Sequence, residues 1–441
     1  MSQRKGNARR RLWPARPGRP PDHGAETIGR GPKRRGLGVA LILAAAAALA
    51  MATPMAAAAT PSASQASASV PCDISLQQVQ NGARSHGVHV SGVIVAAGDS
   101  TCVSSSHKPT EPAFRGTPPL LFHPTVCPFT PCENGSVLMT PSTGPLVVVP
   151  IFWNPTGFPM SSGYKNLITT YLGGVAADSG HTHNVFSVAD EYSGTNGQIH
   201  YNVQLGPVIN DTNPLPANGC TLAAADTSAI YADGSGYSAC LDDAQLQAEV
   251  ENLIAANGFP HGLTHIYVLY LPKGVESCFN PGSTTSTTGG QACTINHEPT
   301  AAFCAYHNED PSSSLYANLA YPIYHSATHF TCGSDARIAG FGMIEAPNGN
   351  PDADVEVSPT SHEINETITD PDTESGWYDS NGFENGDECN GIYGQTRGAR
   401  GAFFNQVING VPFLTQEEFS NNVFNASGGT AGCVQSQSAE H

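Results

Sequence analysis

The stretch Val355-Glu356-Val357-Ser358-Pro359-Thr360-Ser361-His362-Glu363-Ile364-Asn365-Glu366-Thr367-Ile368-Thr369-Asp370-Pro371 governs the reading of this 441-residue chain. The spacing predicts a helix over 358–369, ended near Asp370 because Pro371 disfavours helical geometry in the residue before it. Positions i and i+4 share a helix face, so His362 and Glu366 point the same way with Glu363 beside them. This is the layout of the helical His-Glu-x-x-His zinc motif with glutamate in place of the second histidine. A carboxylate oxygen ligates zinc at about 2.0–2.2 Å, so the replacement keeps a usable donor. Glu363 then stands where a general base would take a proton from water activated by the metal. A third ligand must come from downstream, where Phe383-Glu384-Asn385-Gly386-Asp387-Glu388-Cys389 follows. Glu384 is the preferred ligand, with Asp387 orienting His362; Asp387 as the ligand is the close alternative. Zinc is the expected ion and calcium a second candidate.

Working outward, Leu146-Val147-Val148-Val149-Pro150-Ile151-Phe152-Trp153 and Thr264 to Leu271 are continuous apolar runs that read as buried strands. Asp242 to Asn257 reads as a helix, with an Asp cap, apolar residues at three- and four-residue spacing and a Gly258 stop. A second helix is expected from Tyr164 to Leu172, ended by Gly173-Gly174. Further strands are expected at Asn184–Tyr192 and Leu315–Tyr324. The pattern predicts an α/β (α+β) fold, a mixed sheet above the helix 358–369.

Charge divides the chain. Eleven of its 19 Lys and Arg lie in residues 1–36, with only two of its 37 Asp and Glu. The rest is strongly acidic, and Val355–Glu388 holds ten Asp and Glu and no Lys or Arg. An acidic body is repelled by nucleic acid and by anionic lipid, so neither is an expected partner. The basic leader, an apolar run from Leu37 and small residues up to Ala59 have the layout of a secretory signal over 1–59. After its cleavage no membrane association is expected. Residues 60–71 read as a flexible linker, 72–143 as a loop-rich, disulfide-stapled segment, and 144–441 as the α/β domain. All 12 cysteines lie beyond the leader, which suits disulfides in an exported protein. Local pairs 72–102, 127–132, 220–240 and 389–433 are expected, while the four cysteines between 278 and 332 allow three connectivities.

The run Val357-Ser358, Ser361-His362-Glu363, Glu366, Thr369-Asp370-Pro371, Gly376-Trp377-Tyr378, Glu384-Asn385-Gly386-Asp387, Cys389 and Gly391 resembles the phosphate-induced-protein (EXORDIUM-like) family and its bacterial secreted relatives. The strand Ile266–Leu271 and Phe303-Cys304-Ala305-Tyr306-His307 are similar to that family more loosely. The resemblance implies an extracellular protein with a helix like that of zinc metallopeptidases, hence a zincin-like core. It implies no settled activity; plant members are associated with growth and the cell wall. Two functions follow as expectations. One is a secreted zinc-dependent peptidase acting on a protein or peptide substrate, with Tyr378 or His307 stabilising an oxyanion. The other is a non-catalytic wall-associated or signalling protein with a structural metal. A glycoside hydrolase using two carboxylates is disfavoured, because no aromatic sugar platform is evident among the three Trp. His181 and His183 read as a polar loop beside Gly180 rather than an accessory metal site. His307 reads as structural, and Asp352, Asp354 and Glu356 as a solvated acidic turn rather than calcium ligands, since the EF-hand spacing is absent.

Overall fold

The computed structural model describes residues 91–95, 114–124, 134–222, 227, 230–231, 233–278, 293–294, 303–322, 345–372, 375–399 and 401–439. The expected leader, the linker and the 72–102 and 127–132 cysteine pairs fall outside them.

Among the described residues, seven strands make one mixed sheet: β1 (Ser91–Val95), β2 (Leu146–Trp153), β3 (Val203–Leu205), β4 (Ile209–Asp211), β5 (His265–Tyr270), β6 (Phe303–Glu309) and β7 (Leu315–Leu319). Their order is β1-β6-β7-β5-β2-β3, with β4 also pairing β2. Strands β7, β5, β2, β3 and β4 run parallel; β6 is added antiparallel beside β7, and β1 pairs antiparallel with β6 at the edge. The uninterrupted apolar sequences of β2 and β5 follow from this position. A parallel central strand is covered on both faces, so it has no solvent side to mark with polar residues. Val148 stands opposite Ile266 and Leu205, and Phe152 opposite Tyr270.

Three helices complete the core: α1 (Ser162–Ala177), α2 (Asp243–Asn257) and α3 (Pro351–Thr369). Helix α2 has the expected ends. Asp242 accepts from the Gln245 amide in a capping box, and Gly258 takes the left-handed conformation at φ 65°. Helix α1 corrects the expected stop at Gly173-Gly174, because it runs on to Ala177. The reason is packing: a Cβ on Gly174 would come 3.1 Å from Ile408 Cγ2, so glycine here lets the helix meet the strand Gln406–Ile408 closely. The expected strand at Asn184–Tyr192 is instead a 3-10 helix, Val185–Glu191. Asn184 accepts from the Phe186 amide and starts the turn, a local side-chain bond that overrides the apolar pattern.

Helix α3 begins earlier than expected, with Pro351 in its first turn, and it continues through Pro359 at the loss of one intrahelical bond. The acids expected in a solvated turn therefore lie on this helix, and Asp354 and Glu356 are buried. Asp354 accepts from the Asn348 and Asn350 amides, so its oxygens serve the start of the helix. Helix α3 packs against α1 and against β6, β1 and β7.

Three described pieces of 72–143 join this body: β1, the strand Leu121–His123, paired with Gly376–Tyr378, and 134–143, whose Val137, Leu138 and Met139 are buried in the core. Cys220–Cys240, Cys278–Cys293 and Cys389–Cys433 are disulfides. They fit an extracellular protein. No helix among the described residues is long and apolar enough to cross a membrane.

Candidate metal centre

Helix α3 carries His362, Glu363 and Glu366 into the interior, where each is fully buried. His362 Nε2 lies 3.0 Å from Glu366 Oε1, as their shared helix face requires. The loop after Gly376–Tyr378 returns over this face. It is held by Thr369 Oγ1 donating to the Asn385 side-chain Oδ1 (3.2 Å), and its backbone by Phe419 N donating to Asn385 O (3.0 Å) and Gln416 Nε2 donating to Gly386 O (2.8 Å). It ends in the 3-10 turn Asp387–Cys389, tied to Cys433 by disulfide. The Asp387 amide donates to Glu366 Oε1 at 2.8 Å, and Asp387 Oδ1 stands 3.7 Å from His362 Nε2.

His307 enters from β6. Its Nε2 is 3.1 Å from Glu384 Oε2 and 3.7 Å from Glu366 Oε2. The donor atoms thus fall into two sets, His362–Glu366–Asp387 and His307–Glu366–Glu384, each with all its atoms within 4.8 Å of one another. The preferred ligand Glu384 is placed with His307, and the alternative Asp387 with His362. His307, expected to be structural, stands among the donors. Its sequence signal was available: it alternates with Ala305 and Phe303 along β6. Glu418 was missed altogether. It sits in the strand Glu418–Phe419, paired with Cys433–Val434, and acts on Glu363 electrostatically. Only the tertiary fold brings it near. Tyr378 instead stacks on His123, with ring centroids 3.7 Å apart. His181 and His183 are exposed beside Asp178, in the turn after α1.

Among the described residues, His307, His362, Glu363, Glu366, Asp370, Glu384, Asp387 and Glu418 converge in the interior, none more than 2% exposed. Burial pushes the carboxyl groups of Glu363, Glu366, Asp387 and Glu418 well above their usual range, and neighbouring carboxylates push the same way. Burial also lowers His362 to about 4, so its imidazole is neutral at pH 7 and free to ligate. The described Lys and Arg residues are placed elsewhere. Arg115 bonds the Asn390 carbonyl, Lys165 bonds Asn210, Lys273 pairs with Asp233, and Arg397 is exposed. A buried carboxylate without a cationic partner must take up a proton or a metal ion. The donors fit a metal: Glu366 Oε2, Asp387 Oδ1, His362 Nδ1 and both Glu363 oxygens have no hydrogen-bond partner.

Gly386 keeps the centre open to its ligands. Its φ of −73° is ordinary, so glycine is not needed for the backbone. However, a Cβ would lie 2.8 Å from His362 Nδ1 and 2.9 Å from Glu366 Oε1. Gly386→Ala is expected to displace both side chains and to lower stability by roughly 1–3 kcal/mol, as overpacking does. Urea unfolding measures this; an unchanged midpoint would show that the two side chains move aside freely.

Comparison of the chain with protein-family models, with curated proteins and with solved structures returned no match. The resemblance to EXORDIUM-like proteins rests on its motif residues alone.

Proposed function

We propose that this chain is an exported metal-binding protein in which a closed, zinc-type centre at His362, Glu366 and Asp387 organises a zincin-like core. One observation carries this reading: the donors and Glu363 are all buried, without a Lys or Arg among the described residues to neutralise them. A structural zinc is closed by its protein, whereas a catalytic zinc keeps one position open to water or substrate. Complete burial of Glu363 favours the first. One imidazole and two carboxylates form a borderline-to-hard donor set that suits zinc and also manganese or iron(II). The motif resemblance points the same way, toward an extracellular protein of the growth- or wall-associated kind.

A second reading, a zinc-dependent peptidase acting on a protein or peptide, is favoured by Glu363 itself. It follows His362 directly, and neither of its oxygens has a hydrogen-bond partner. Such a residue has the place of a general base.

Elemental analysis of the mature protein tests the first reading. Bound metal is expected in the wild type, reduced in His362→Ala and kept in Glu363→Gln. A wild type purified without metal, and taking up none on dialysis against zinc, sinks both readings. Cleavage of a peptide library by the wild type, abolished in Glu363→Gln with metal retained, would replace the structural reading with the peptidase one.

A further inference from the structure

We propose that the buried site is dinuclear: a second divalent cation is held by His307, Glu384 and Glu366, and Glu366 bridges it to the ion at His362 and Asp387. The inference rests on the metal-binding reading and extends it to a second site.

The geometry of Glu366 points to a bridge. Its two oxygens face different histidines. Oε1 lies 3.0 Å from His362 Nε2 and accepts the Asp387 amide. Oε2 has no hydrogen-bond partner and lies 3.7 Å from His307 Nε2, in a residue with no solvent exposure. Donors of one ion bound at about 2.1 Å lie no more than about 4.2 Å apart. The histidine-to-carboxylate separations, 3.0 and 3.7 Å around His362 and 3.1 and 3.7 Å around His307, meet that condition, and all the donor atoms of each set lie within 4.8 Å of one another. A carboxylate that offers one oxygen to each set is what holds two ions about 3.5–4 Å apart in two-metal sites.

Charge favours two ions over one. At least six buried carboxylates act on one another here: Glu363, Glu366, Asp370, Glu384, Asp387 and Glu418. One divalent ion neutralises two of them, and two ions neutralise four. The two donor sets have the same composition, one imidazole and two carboxylates, so a metal that suits one suits the other. His307 comes from the sheet and His362 from α3. Two ions would therefore tie β6, α3 and the loop 384–387 together at one point.

The test uses the mature, disulfide-intact protein, dialysed against zinc and separately against manganese(II). Two zinc ions per chain are expected, with one remaining in His307→Gln and one in His362→Gln, each variant checked for native circular dichroism. In the manganese-loaded wild type, the paramagnetic resonance spectrum is expected to show two magnetically coupled ions. One ion per chain, retained in His307→Gln and lost in His362→Gln, overturns the second site and leaves the first reading standing. One ion lost in both variants also overturns it, because a single ion then uses both histidines. No ion at all removes the reading beneath it. If His307→Gln does not fold, the wild-type spectrum still decides: coupling supports the bridge, and the signal of isolated manganese at full loading overturns it.

Discussion

Stripping metal from the mature protein with a chelator is expected to lower its thermal midpoint by on the order of 10 °C, with a loss that deepens as pH rises from about 5 to 8. An ion present at a thousandfold excess over its Kd stabilises the folded state by about 4 kcal/mol, because it binds the unfolded chain weakly. The pH dependence follows from the carboxylates. Burial raises Glu363, Glu366, Asp387 and Glu418 in the folded chain, so the metal-free folded state holds protons that the unfolded chain has released. That stabilising contribution is complete below the unfolded carboxyl value near pH 4 and is lost as pH rises through the folded values. His362 works in the opposite sense. Its value falls to about 4, so its contribution is present above the unfolded value and is lost as pH falls. Four carboxylates outweigh one imidazole, and the metal-free protein is expected to weaken as pH rises. Metal takes the place of those protons, so its affinity rises over the same range. Thermal scans with chelator and with zinc across a pH series measure both effects. A metal-free midpoint that stays level or climbs with pH would falsify the account of the buried carboxylates.

Replacing Cys389 and Cys433 by serine is expected to cost nearly as much stability and to weaken metal binding at least tenfold. The bond closes a 44-residue separation, which corresponds to about 4 kcal/mol in the chain-entropy account. Its second effect is local. Cys389 lies in the same 3-10 turn as Asp387, and Cys433 lies in the strand paired with Glu418–Phe419. Without the bond, the turn that presents Asp387 is held by hydrogen bonds alone. The Cys220–Cys240 bond provides the comparison. It closes a separation of 20 residues, worth about 3 kcal/mol, and no donor of the centre belongs to its strand Ala239–Asp242. Serine at Cys220 and Cys240 should lower the midpoint and leave metal affinity unchanged. Equal loss of affinity in both double variants would mean that the effect is global destabilisation.

Helix α2 was legible because its signals are local: an Asp cap, a left-handed glycine and apolar spacing act within a few residues. Strands β2 and β5 were legible because burial on both faces leaves an apolar run. Gly173-Gly174 misled because glycine both stops helices and permits close packing, and only the neighbour at Ile408 distinguishes the two. Asn184 misled because its side-chain bond to the Phe186 amide competes with strand pairing.

By itself, the sequence determined that His362, Glu363 and Glu366 sit on one helix as a set, since i and i+4 geometry is a property of the local backbone. It also determined that the surrounding segment is acidic with no cation of its own. Only the tertiary structure decided that Asp387 goes to His362 while Glu384 goes to His307, 77 positions away in the chain. Sheet register sets where β6 delivers His307, and the loop over α3 is set by contacts with Asn385, Gly386 and Cys433. Pairings between distant residues depend on how whole elements pack, and residue spacing carries no record of that.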